Sequence, residues 1–276
     1  LKLADYVVTE SGFAADLGME KFQNIKCRNS GLTPDAVVLV ATVRALKMHG
    51  GAGRIVAGRP LPKELIEENL PALEKGAANL VKHIQNARGY GVPVVVAVNR
   101  FTQDTAKEID MVREIVQGVG AEGAFVSDVW ARGGAGGAEL AEAVVAASHK
   151  PKNFKFLYPL DIPIKDKIHA IATQMYGADG VAYLPDAERA IKRFTDLGFG
   201  HLPICMAKSH LSISHEPSWK GAPSGYTLPI RDVRASVGAG FLVPLCGEMM
   251  TMPGLGSKPA YMSIDIDEHG ETVGLF

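Results

Sequence analysis

The run PVVVAVN, Pro93 to Asn99, narrows the possible folds more than any other stretch of the chain. It has no alternating polar position, so a strand built from it has no face to offer to water. That pattern belongs to a strand inside a parallel sheet covered on both sides, because a strand with one wet face reads as apolar and polar in turn. AVVLVAT (Ala36–Thr42) has the same character, and DYVVT (Asp5–Thr9) and AFVSDV (Ala124–Val129) are shorter versions of it. Segments of helical period lie between them: MEKFQNI, AKEIDMVREIVQGV and AELAEAVVAASH. The long stretch PKELIEENLPALEKGAANLVKHIQNARGYG reads as two helices interrupted near Pro71. Short apolar strands alternating with helices imply β-α units and an α/β fold with a mainly parallel sheet.

The texture then changes. IKDKIHAIATQMYG and PDAERAIKRFTDLGFG are further helices, the second ending in the glycine stop of a C-cap. After Gly200 come the shorter runs LPICMA, YTLPIRDVRAS, GFLVPLC and YMSIDID, punctuated by Pro and Gly, which predict a smaller mixed α+β lobe. The chain is 47% hydrophobic and 21% charged with a formal net charge of -1, so it lacks the basic excess that nucleic-acid or anionic-membrane surfaces use. No apolar run approaches the roughly 20 residues of a membrane span. The three cysteines, Cys27, Cys205 and Cys246, are far apart and form no C-x-x-C pair, so neither a zinc site nor a disulfide framework is expected. Reduced thiols fit a cytoplasmic setting, or a mitochondrial matrix in a eukaryote. The chain opens on Leu1 and runs at once into the first expected strand, which leads to the expectation of a piece of a longer protein.

In an open parallel sheet, ligands bind beyond the carboxyl ends of the strands. The residues in that place are Ser11, Gly12 and Phe13 after the first run, and Arg44, Lys47 and His49 in VATVRALKMHGG after the second. Arg100, Phe101 and Asp104 follow the third, and Trp130, Arg132 and the cluster GGAGG follow the fourth. Phe101 and Trp130 either fold back onto the core or stand at the rim as stacking surfaces for a flat ligand. The glycine cluster opens a helix and could leave amides free for an anion. Arg44 and Lys47 either set a positive potential towards an anionic ligand, which the resemblance given below would make phosphate, or bond helix-end carbonyls. VAVNRFTQD has the look of a guanine-reading loop, but Thr102 holds the Asp position and Asp104 comes two residues late. "GK" occurs nowhere, so the chain has no phosphate-gripping lysine loop and a GTPase-like switch is disfavoured. His210 and His215 in SHLSISHEP lack the spacing of a zinc helix, and Met250 and Met252 in MTMPGLGSKPA read as core.

Taken together these blocks resemble the formate–tetrahydrofolate ligase (10-formyltetrahydrofolate synthetase) family. The likeness rests on DYVVTESGFAADLGMEKF, VATVRALKMHGG, VPVVVAVNRFTQDT, KDKIHAIATQMYGADGV, LPICMAKSHLSISH, IRDVRASVGAGF, MTMPGLGSKPA and the terminal GLF, in that order. The same module ends the trifunctional one-carbon folate synthases, which the stretch AGRIVAGRPLPKELIEENL resembles more than the shortest bacterial enzymes. The resemblance implies an ATP-dependent ligase that joins formate to tetrahydrofolate through formyl phosphate, with ATP, magnesium and a monovalent cation (potassium or ammonium), acting as a homo-oligomer, dimer or tetramer. It implies the carboxyl-terminal half of such an enzyme, inactive alone, with the phosphate loop and catalytic residues upstream of Leu1. The rival reading is a non-catalytic module kept for oligomer contacts or folate binding. By the resemblance, Phe101 and Trp130 sandwich the pterin, and Gly12 and Phe13 lie beside the adenine, although Ser11 and Ala14 depart from residues common in that loop. It also implies residues 1–78 as the rest of a P-loop-NTPase-like nucleotide-binding domain, 79–180 as a Rossmann-like folate-binding domain, and 181–276 as a small α+β domain. No ligand set for either cation is located.

Overall fold

The computed structural model describes residues 1–53, 55, 60–247 and 258–274; Met250 and Met252 lie outside the described residues. The first expected strand does not form. Asp5–Thr9 pairs with no other strand, and Tyr6, Val7 and Val8 stay exposed. β propensity needs a neighbouring edge to become a strand, and this segment's anchor is a side chain instead, the Tyr6 hydroxyl 3.1 Å from His149 Nε2. A helical run follows, π-helical at Ala14–Met19 and Phe22–Lys26 and closing as α1 (Cys27–Ser30).

The alternation then appears as expected: β1 (Val37–Ala41), α2 (Val43–His49), α3 (Lys63–Ile66), α4 (Leu70–Arg88), β2 (Val94–Asn99), α5 (Ala106–Gly118), β3 (Ala124–Ser127), α6 (Val129–Arg132) and α7 (Ala138–Ser148). The three strands form one parallel sheet in the order β1-β2-β3, with Leu39 opposite Val96 and Ala97 opposite Phe125. The all-apolar run is central, as its composition demands, and Val94–Val98 is buried throughout. β1 departs from the expectation of cover on both faces. Val38 and Val40 are 40% and 64% exposed, because α7 packs over β2 and β3 and does not reach them. The break between α3 and α4 falls before Pro71, at the Asn69 cap whose side chain accepts from the Ala72 N–H; Pro71 sits harmlessly in the first turn.

The remainder comprises α8 (Ile164–Ala170) with a π-helical continuation Ile171–Met175, β4 (Gly180–Tyr183), α9 (Pro185–Asp196), β5 (Thr227–Ile230), β6 (Asp232–Ser236), β7 (Phe241–Leu245), β8 (Asp265–Ile266) and β9 (Thr272–Val273). β4 and β5 are parallel, whereas β6 and β7 are antiparallel. The single run YTLPIRDVRAS therefore serves two sheets, changing partner at Arg231. LPICMA contributes no strand, only bridges from Ile204 and Ala207 to β7. One hydrophobic cluster takes in Val96, Leu73, Leu80, Tyr176, Leu228 and Cys246, and α4 runs unbroken through the boundary expected between residues 78 and 79. Among the described residues no helix is long and apolar enough to cross a membrane.

Candidate functional site

Because β1, β2 and β3 are parallel, Thr42, Arg100 and Asp128 all leave the sheet at the same edge. Thr42 caps α2 by accepting from the Ala45 N–H. Arg44, in the first turn of that helix, lays its guanidinium 4.2 Å over the ring of Phe101, a cation–π contact that neither alternative weighed for Arg44 anticipates. The Phe101 N–H donates to Asp104 Oδ2 at 2.8 Å, so the late aspartate of NRFTQD pins the backbone of the aromatic residue. Trp130 is 60% exposed, and its indole Nε1 donates to the Arg100 carbonyl at 2.9 Å. The structure thus brings Arg44, Phe101 and Trp130 to one rim, with the indole neither folded into the core nor free to turn.

The glycine cluster does not leave its amides free as a helix opening. Gly133–Gly137 forms a 3-10 turn before α7, and the Gly136 carbonyl accepts the Asp128 N–H at 2.9 Å. A Cβ on Gly136 would lie 2.5 Å from the Asp128 carbonyl oxygen, so the glycine is required by close approach of backbone to backbone.

Lys47 turns inward. Its ammonium is wholly buried, 2.8 Å from Glu108 Oε1 and 2.9 Å from the Glu67 carbonyl at the end of α3. Glu108 also accepts the N–H groups of Asn69 and Thr105, so one carboxylate joins the starts of α4 and α5 to α2. Burial acts to raise the Glu108 carboxyl, but the bonds from Lys47, Thr105 and Asn69 outweigh it and hold the group below its usual range. Of the two alternatives for Lys47, the helix-end carbonyl is the one seen. His49 faces inward as well: its Nδ1 accepts the Gly221 N–H, and burial, then nearby Lys220 and His83, lower its pKa to about 4.

Phe13 stands on different neighbours. It is 75% exposed and meets the His210 ring edge-on at 5.6 Å, with no strand leading to it. The loop before it is held by geometry: Gly12 has φ +81°, and a Cβ on Gly18 would fall 2.4 Å from the Ser11 and Gly12 carbonyl oxygens. Behind it, buried Asp16 pairs with buried Lys208 at 2.6 Å, which ties the loop to the LPICMAKSHLSISH block. Sequence reasoning missed Asp16, Lys208, Asp128 and the stacking role of Arg44. Their partners are remote in the chain; Arg44 lay among the strand-end positions inspected, whereas Asp128 fell inside the expected strand AFVSDV, which in fact ends at Ser127. His215 packs with Trp219 and Tyr226 at 5.5 and 5.7 Å between ring centroids, and among the described residues no group of three or more His, Cys, Asp or Glu comes together to hold a metal.

The family model described as formate–tetrahydrofolate ligase matches residues 1–276. The chain is 66% identical over 276 residues to the formate–tetrahydrofolate ligase of Desulforamulus reducens, covering 100% of this chain and 49% of that protein. It is 57% identical over 272 residues to the cytoplasmic C-1-tetrahydrofolate synthase of Homo sapiens, covering 98% of this chain and 29% of the human protein. With the ligase of Herpetosiphon aurantiacus the identity is 56% over 276 residues, which is 100% of this chain and 48% of the relative. The chain therefore spans about half the length of these bacterial relatives and less of the human one. A match over every residue, on a scaffold whose strand ends gather two aromatic rings at one rim, places the chain in the formate–tetrahydrofolate ligase family.

Proposed function

We propose that the chain supplies the pterin-stacking wall, and part of the adenine side, of an ATP-dependent ligase that makes 10-formyltetrahydrofolate. The observation that carries this reading is the exposed Trp130 indole fixed to the backbone immediately before Phe101. A large ring held at a rim gains by stacking on a flat ligand, about 0.5–1.5 kcal/mol beyond the area it buries. Arg44 covers one face of Phe101, which leaves the other for the pterin. Gly12 and Phe13 form the adenine-side loop in this reading, with Phe13 offering its exposed face.

The reaction phosphorylates formate with ATP, because formate itself would have to expel oxide; the folate amine then attacks the formyl carbon and phosphate departs. The contribution of these residues is to orient the pterin and exclude water at the step where the acyl phosphate is open to hydrolysis. The described residues gather no metal-binding group, so no step is assigned to magnesium or a monovalent cation through them. A homo-oligomer and a cytoplasmic setting complete the reading; the human relative bears that location in its name.

Calorimetric titration with tetrahydrofolate tests it. Trp130→Ala should weaken binding by roughly 1–3 kcal/mol, about fivefold to 150-fold. Unchanged affinity would remove Trp130 from the folate site. Binding of tetrahydrofolate without formyl transfer, when the other half of the relatives' length is supplied, would favour the non-catalytic module.

A further inference from the structure

The geometry points to the Arg100–Asp128 ion pair as the positioning element that sets the spacing of Phe101 and Trp130, an inference that rests on the stacking role proposed for those rings. Asn99 and Ser127 are the last paired residues of β2 and β3, so Arg100 and Asp128 face each other one step beyond the sheet. The Arg100 N–H extends the ladder to the Ser127 carbonyl at 3.2 Å. Across this step the guanidinium grips the carboxylate at two points, Nε to Oδ1 at 3.2 Å and a terminal nitrogen to Oδ2 at 2.5 Å. Such a fork fixes orientation as well as distance.

Asp128 gives something up to do this. It occupies the N-cap of α6, where an aspartate ordinarily accepts the free N–H groups of the first turn, yet its side chain makes no capping bond. The carboxylate is turned across to the next strand, while the backbone of Asp128 secures α6 and the glycine turn: its carbonyl accepts from Ala131 and Arg132 and its N–H bonds Gly136. The two rings then hang from the two ends of this bridge. Phe101 follows Arg100 directly, and Trp130 follows Asp128 by two residues and returns its indole N–H to the Arg100 carbonyl. The Trp130 ring is thereby tied to the strand that carries Phe101, with a gap whose width depends on the clamp. Neither Arg100 nor Asp128 is assigned contact with ligand; both act through the aromatics.

Two tryptophans give the chain two indole N–H signals, one from Trp130 and one from Trp219 as an internal reference. Asp128→Asn keeps the shape and removes the charge. The expected result is at least tenfold faster hydrogen exchange at the Trp130 indole with Trp219 unchanged, together with about tenfold weaker tetrahydrofolate binding. Arg100→Gln combined with Asp128→Asn should lose no more than either alone, as partners in one contact do. If Asp128→Asn disturbs Trp219 as well, Arg100→Lys replaces it, keeping the charge pair but not the fork, and a smaller acceleration confined to Trp130 is expected. Unchanged Trp130 exchange, or losses that add in the double variant, overturns the clamp. Failure of the unsubstituted chain to bind tetrahydrofolate would overturn the stacking role instead, and the indole measurement would still decide the clamp.

Discussion

Lys47 and Glu108 sit with their side chains wholly removed from water, and each is costly there without the other. Lys47→Met strands a carboxylate among apolar neighbours, and the expected loss is about 3–5 kcal/mol of folding stability in urea unfolding. Adding Glu108→Gln removes the stranded charge but keeps an oxygen for only one of the Asn69 and Thr105 N–H groups, so it should recover part of that loss. A second buried carboxyl behaves oppositely. Glu20 accepts one bond from Asn24 at 2.8 Å while its Oε2 has no partner among the described residues. Burial raises its pKa from 4.5 to about 7, with Lys21 and Asn24 pulling the other way. The folded state therefore favours the neutral acid, and stability falls as pH rises from about 4.5 to about 7, then levels. Glu20→Gln should be more stable than the unsubstituted chain by roughly 3 kcal/mol at pH 8 and within about 1 kcal/mol of it at pH 5. Parallel stability–pH curves would show that Glu20 does not carry this proton.

At the scale of elements, α2 and α4 meet through two glycines. A Cβ on Gly76 would lie 1.8 Å from the Leu46 carbonyl oxygen, and one on Gly50 equally close to that of Ala72. The helices pack backbone to backbone, which is why the short α2 stays anchored after β1 and holds Arg44 at the rim. Gly76→Ala should cost roughly 3 kcal/mol, the upper range of overpacking. Gly118→Ala in α5, where a Cβ meets nothing within 4 Å, should instead gain about 0.5–1 kcal/mol. Urea midpoints moving the same way for both would refute the close-contact account. The strands β1, β2 and β3 were legible because unbroken apolar runs have few other uses, and α5 because AKEIDMVREIVQGV is amphipathic; the capping box of Thr105 and Glu108 emerges with the structure. DYVVT carried equal propensity and failed for want of a partner, which local sequence does not encode. The same limit applies at the site: a rim position could be read for Phe101 and Trp130, but the inward turn of Lys47 depends on Glu108, 61 residues away.

Across the chain as a whole, the three-stranded sheet has two open edges among the described residues, β1 and β3, but only β3 is packed under α7. β3 and β2 lie under α7, while β1 is a parallel edge strand whose outer backbone groups pair with no strand among the described residues. Its Val38 and Val40 side chains add a solvent-exposed apolar strip beside that edge. Natural proteins blunt such edges with charge, proline or cover, and none of these stands within Val37–Ala41. At high concentration the chain should consequently recruit a second copy edge to edge, seen as a mass that climbs with loading in sedimentation velocity. Val40→Lys should return it to a single slow species without altering the rim; an undiminished mass would locate the seam elsewhere. Purification yield and crystal habit would then be governed less by the ligand-facing aromatics than by five residues of unsheltered backbone on the opposite flank of β2.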